Sequence, residues 1–108
     1  MTTTTVHGRL LDDETRCAHW HTELDVVAIR FACCGEYYAC RDCHDELAEH
    51  EPAVWPAGDR STRAVLCGVC ETELTIGQYA AVEACPACAS EFNPGCRLHW
   101  NLYFGGTP

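Results

Sequence analysis

Cys33 to His50, CCGEYYACRDCHDELAEH, concentrates four cysteines and two histidines in eighteen residues, among many charges and few aliphatic side chains. A packed core has no use for that mixture. Thiolate and imidazole together, at knuckle-like spacings, are the ligands by which small domains hold Zn²⁺. The rest of the chain reads as the missing ligands and the scaffold that delivers them.

The composition gives a reason for such a staple. The chain has 108 residues, and the 47% counted as apolar includes ten cysteines, so the aliphatic core is small for a domain that must fold alone. The N-terminal MTTTTVHGRLLDDETR has no basic stretch followed by an apolar run, so a secretory signal is not expected. No segment approaches the roughly 18 apolar residues of a membrane span, and no membrane association is expected. A cytoplasmic location follows, where thiols stay reduced and cysteine pairs serve metal or redox chemistry rather than disulfides. Seven arginines and no lysine stand against sixteen acidic residues, a net charge of −9. Such a surface repels phosphate backbones, so nucleic acid is not an expected partner.

In chain order, residues 1–14 are threonine-rich and aperiodic, as a disordered tail would be. Cys17-Ala18-His19 offers two ligand types that project to one face of an extended segment. Residues 25–32, DVVAIRFA, suit a short strand leading into Cys33 and Cys34, and Gly35 permits the sharp turn that follows. Cys40 and Cys43 form a C-x₂-C knuckle. From Asp42 the sequence is helix-friendly, with acidic residues early and Pro52 beyond its end. His44 and His50 sit about 120° apart on a regular helix, so the helix should loosen before His50. Residues 51–63 read as a linker or ordered loop. A second unit, 64–104, carries Cys67-x₂-Cys70 and Cys85-x₂-Cys88, fourteen residues apart. That spacing is ribbon-like, with residues 75–82 expected in a β-hairpin between the knuckles. The tail from Cys96 to Phe104 alternates apolar residues and suits a strand laid over the core.

With His7, His21, Cys96 and His99 set aside, nine cysteines and three histidines remain, twelve ligands for three Zn²⁺. Complete four-ligand sites are the structural kind, whereas a catalytic zinc keeps a position open, so enzymatic activity is not expected. Sequential pairing would join Cys17, His19, Cys33 and Cys34, then Cys40, Cys43, His44 and His50. Adjacent Cys43 and His44 diverge by about 100° on a helix, which makes a shared ion awkward. Interleaving avoids the conflict: Cys17, His19, Cys40 and Cys43 in one site, Cys33, Cys34, His44 and His50 in the other. Cys67, Cys70, Cys85 and Cys88 form the third.

These residues, Cys17-Ala18-His19-Trp20, Cys33-Cys34, Cys40-x₂-Cys43-His44, His50 and two further CxxC pairs, resemble the CHY-type zinc finger family, most closely its small stand-alone microbial members. The family also includes a mitochondrial helper of protein import and the N-terminal parts of certain RING ubiquitin ligases. The resemblance covers about residues 15–90 and implies the same three sites, the first two crossed. Trp20 stands where the family name expects tyrosine, and no RING follows, so ligase activity does not carry over. The expected architecture is a small, irregular, zinc-dependent α+β fold: a crossed two-zinc module over 15–52, then a four-cysteine ribbon-like module.

Other chemistry fits less well. Cys40 to His44 matches a haem-attachment pattern, but that chemistry follows export. His21-x-Glu23 with the last CxxC resembles a zinc deaminase signature, with the proline misplaced inside the pair. The expected function is a structural zinc module for protein–protein interaction, its partner a protein; the alternative is a zinc-transfer or thiol-redox helper for cysteine-rich partners. Tyr37, Tyr38, Trp55, Trp100, Tyr103 and Phe104 are candidates for a binding surface, though core packing is the commoner role for such residues.

Overall fold

Ala64-Val-Leu-Cys67 is an unbroken apolar run, and it lies in the strand that both halves share. Residues 5–12, 14–93, 100 and 103–105 are described by a computed structural model. The strands are β1 (Val6–His7), β2 (Val27–Arg30), β3 (Tyr37–Tyr38), β4 (Arg63–Cys67) and β5 (Glu73–Thr75); the helices are α1 (Arg41–Leu47) and α2 (Ile76–Ala81). One sheet runs in the order β1-β3-β2-β4-β5, with β1 parallel to β3 and every other pair antiparallel.

The sheet crosses the boundary the sequence suggested between two units. Val27, Ala28 and Ile29 of the first unit pair with Cys67, Leu66 and Val65 of the second. Residues Ala64 to Cys67 of β4 are buried on both faces, which is why β4 shows no polar alternation. On one face Ala28, Tyr37 and Leu66 pack together; on the other, Ile29, Tyr38, Val65 and Leu74 join Phe31, Tyr79 and Phe104.

The N-terminal segment departs from the expected tail. Val6 and His7 pair with Tyr37 and Tyr38, and Arg16 ties residues 12–23 together, its guanidinium reaching Asp12, Glu14 and the carbonyls of Thr22 and Glu23. The expected hairpin over 75–82 is not formed either. The hairpin lies earlier, β4 to β5 around the Cys67–Cys70 knuckle, and residues 76–81 are helical. Thr75 caps α2 in a reciprocal box with Gln78, a signal stronger than the β-branched start of that stretch.

The loop 51–62 is ordered by Trp55, whose indole N–H donates to the Arg30 carbonyl at 2.7 Å and whose backbone bridges to Phe104. Most of the expected tail strand lies outside the described residues. Those described turn: Phe104 N–H donates to the Trp100 carbonyl at 2.9 Å, and both side chains are buried.

Candidate metal centres

α1 delivers ligands to two clusters at once. Cys40 is its N-cap, the sulfur accepting the Cys43 N–H at 3.4 Å, and the helix ends at Leu47 with Ala48 extended. His50 is thereby released from the helix to reach its cluster, as its angular offset from His44 requires.

Three groups of four donors come together, each set of ligand atoms lying within 4.8 Å of one another: Cys17, His19, Cys40 and Cys43; Cys33, Cys34, His44 and His50; Cys67, Cys70, Cys85 and Cys88. These are the groups expected from the spacing, with the first two interleaved. Cys17 Sγ stands 3.7 Å from Cys40 Sγ, and His19 Nδ1 lies 3.6 and 3.4 Å from Cys40 and Cys43. In the second cluster His44 Nε2 and His50 Nε2 are each 3.2 Å from Cys33 Sγ and 3.3 Å apart. In the third, Cys67–Cys88 and Cys70–Cys85 are 3.7 and 3.6 Å apart. A disulfide would need about 2.05 Å. Ligand atoms at zinc bond lengths on a tetrahedron are about 3.3–3.8 Å apart, close to the 3.2–3.9 Å between neighbouring donors here.

The electrostatics suit a cation there. Burial pushes the Cys40 and Cys43 thiols up, and Cys67 up to about 12. Packed this closely, such sulfurs ionise together only around a positive charge. Burial also raises Cys17, but the N–H of Trp20 and the His19 side chain outweigh it and hold that thiol below its usual value. His44 is fully buried, stacked on Phe31 at 4.3 Å between ring centroids, and burial holds it below its usual value, in the neutral form a metal needs.

The third cluster is built from two copies of one loop. In each, the sulfur of the first cysteine (Cys67, Cys85) accepts backbone N–H groups two and three residues on. The N–H of Glu71 or Ala89 returns to the first cysteine's carbonyl at 2.8 Å, and both residues have positive φ, 62° and 66°. A hydroxyl follows at 3.2 Å from the second sulfur, Thr72 on Cys70 and Ser90 on Cys88. Sequence reasoning missed these hydroxyls, although C-x₂-C-x-[Ser/Thr] occurs twice and was there to be read. Ser90 brings Cys88 down to about 6. Cys70 and Cys88 are exposed, unlike Cys67 and Cys85.

The N-terminal segment presses on two of the clusters. A side chain at Gly8 would meet Cys43 Sγ at 2.9 Å, and one at Gly68, inside the third cluster's first knuckle, would collide with the Glu14 carbonyl. Arg9 N–H donates to Cys43 Sγ. His7 and His21 join none of the clusters. Cys96 and His99 lie outside the described residues.

A small α+β scaffold whose ligand-bearing turns close three four-donor sites is a multi-site zinc-binding module. The chain belongs to the CHY zinc finger family, whose sequence profile matches residues 17–94. It is 45% identical over 112 aligned residues to Helper of Tim protein 13 of Saccharomyces cerevisiae, covering 100% of this chain and 97% of that protein. It is 48% identical over 99 residues to the protein of the same name from Kluyveromyces lactis, covering 92% and 87%. An uncharacterised protein of Schizosaccharomyces pombe is 43% identical over 101 residues, covering 94% and 89%.

Proposed function

We infer that this chain is a zinc-held module that works by binding another protein, with Cys17, His19, Cys40 and Cys43, then Cys33, Cys34, His44 and His50, then Cys67, Cys70, Cys85 and Cys88 as the ligands of three Zn²⁺. The observation that carries this reading is the end-to-end relationship with a protein named as a helper of a Tim protein. Four donors in every cluster leave no position open for substrate, which favours a non-enzymatic role. Leu10, Leu11, Trp20 and Leu47 stay exposed on segments that meet at the first cluster. Tyr37, Tyr38, Trp100 and Phe104, by contrast, are core residues.

The test is capture of a purified Tim protein of the same host by the immobilised, zinc-loaded chain. Capture is expected, and it should fall sharply in a Leu11→Ser, Trp20→Ala double variant that still holds three zincs. No capture by the wild-type chain, or capture untouched by the double variant, refutes the reading or its surface respectively.

One observation favours a second reading, a zinc-transfer or thiol-redox helper: Cys70 and Cys88 of the third cluster are exposed, within reach of a partner's thiols. Under a mild disulfide oxidant such a helper would release the third zinc as two thiolates join and pass two electrons to the oxidant. A pure binding module would keep all three zincs.

A further inference from the structure

His19 is held from both sides. Its Nδ1 faces Cys40 and Cys43 at 3.6 and 3.4 Å, and its Nε2 lies 3.1 Å from Glu46 Oε1. The carboxylate's other oxygen pairs with Arg9 Nε. The Arg9 backbone is itself tied down, because its carbonyl accepts the Ala18 N–H at 3.0 Å, one residue before His19. A closed circuit therefore runs from the N-terminal segment through Arg9 and Glu46 of α1 to His19 and back along the chain.

His44 of the second cluster gives the contrast. His44 Nδ1 is buried without a hydrogen-bond partner, the nearest Asp45 oxygen being 3.7 Å away. Core packing on Phe31 orients His44 instead. His19 has no such packing: its side chain is 21% exposed, and the segment carrying it has no regular structure. An imidazole on a loop has two tautomers and a free ring rotation, and only one combination presents the Nδ1 lone pair to the sulfurs. A carboxylate accepting Nε2–H selects that combination.

We propose that Glu46 is a positioning residue of the first metal centre: it fixes His19 as the Nε2–H tautomer with Nδ1 toward Cys17, Cys40 and Cys43, and Arg9 holds the carboxylate in place. The inference rests on the zinc reading of that cluster. It assigns Glu46, an exposed helix residue outside every ligand pattern, a role in how tightly one of three metals is held. Outer partners of this kind typically change metal affinity by about 10–100-fold.

The test uses the full chain loaded with ¹¹³Cd²⁺, comparing wild type with Glu46→Ala and Glu46→Gln. Wild type should give three cadmium resonances; fewer would overturn the zinc reading itself, whatever Glu46 does. In Glu46→Ala the first-cluster resonance should decay about 10–100-fold faster against a chelator, the other two unchanged, and the ¹⁵N shifts of His19 should lose the single-tautomer pattern. Glu46→Gln keeps an oxygen that accepts Nε2–H, so it should retain the tautomer and recover part of the slow release. Three resonances with unchanged His19 shifts and first-cluster release in Glu46→Ala would overturn the proposal. Equal acceleration at all three clusters would also overturn it, because that is general destabilisation and not positioning.

Discussion

Cys43 and His44 are neighbours in sequence but their ligand atoms enter different clusters: Cys43 Sγ is 3.4 Å from His19 Nδ1, and His44 Nε2 is 3.2 Å from Cys33 Sγ. The first turn of α1 separates them by the ordinary rotation of a helix. A single helical turn thus acts as a wall between two sites and ties both to the same backbone. The consequence is mechanical: neither cluster can open widely without moving the helix that serves the other.

The interleaving predicts a selective loss. His50 is exposed and outside α1, so His50→Ala removes a ligand without opening a cavity in the core. The variant should lose or weaken only the second metal. One-bond cadmium coupling should still connect Cys17, Cys40 and Cys43 to one ion. Coupling from Cys33 and Cys43 to a common ion would refute the pairing.

Metal removal should unfold the chain. A structural zinc contributes about 10–16 kcal/mol in small finger peptides, against a net stability on the order of 5–15 kcal/mol for a whole domain. Losing all three therefore outweighs everything else that keeps the fold together. Native mass spectrometry should find three zincs per chain, and Cys96→Ser should keep all three, since the twelve donors are already supplied elsewhere. Stripping with a strong chelator should collapse the dispersed amide spectrum; a well-dispersed metal-free spectrum would show that the apolar core suffices alone.

The site was far more legible in the sequence than the fold. Ligand chemistry writes itself into residue type and spacing, so Cys33, Cys34, His44 and His50 could be grouped before any coordinates. The break of α1 before His50 followed from angular arithmetic. Long-range pairing leaves no such mark: nothing in Val27–Arg30 or Arg63–Cys67 says that they are partners, and the prolines between them suggested a boundary. The role of residues 6–9 was hidden for a related reason. Two strand residues and the approach of Gly8 to Cys43 gain their meaning from a partner elsewhere in the chain. Glu46 looked like one more acid on an exposed helix.

A buried carboxylate offers a test independent of the metals. Asp25 is 8% exposed and accepts hydrogen bonds from Thr22 N–H, Thr22 Oγ1 and Asn93 Nδ2, each at 2.8 Å. Burial raises its pKa, but the bonds from Asn93 and Thr22 outweigh that and hold it below the usual carboxylate value. Its contribution is therefore complete above the unfolded value of about 4 and is lost as pH falls through the lower folded one. Asp25→Ala should cost the zinc-loaded chain about 1–3 kcal/mol by stranding those donors. The difference from wild type should persist at pH 5 in denaturant unfolding, since the carboxyl is still largely ionised there in both folded and unfolded chains. A difference that has already disappeared at pH 5 would mean that Asp25 titrates above the usual carboxylate value and is not held as described.

The duplicated knuckle allows a prediction in which the fold gains stability. Ala89 and Glu71 take the same position after the second cysteine of each loop, with φ of 66° and 62°, and Gly35 follows Cys34 at 70°. A side chain in that left-handed region costs about 1–2 kcal/mol, which glycine avoids. Glycine also loses more freedom on folding, offsetting about 0.4–1 kcal/mol of the gain. Ala89→Gly should therefore stabilise the zinc-loaded chain by up to about 1.6 kcal/mol, and Glu71→Gly by a similar amount because the two loops share one geometry. Gly35→Ala is the inverse experiment. A Cβ there meets nothing within 4 Å, so its cost is purely conformational, a destabilisation of the same size. Denaturant midpoints with zinc in excess would measure all three. If both glycine substitutions destabilise, the loops do not hold these residues in the left-handed region, and the equivalence of the two knuckles fails with it.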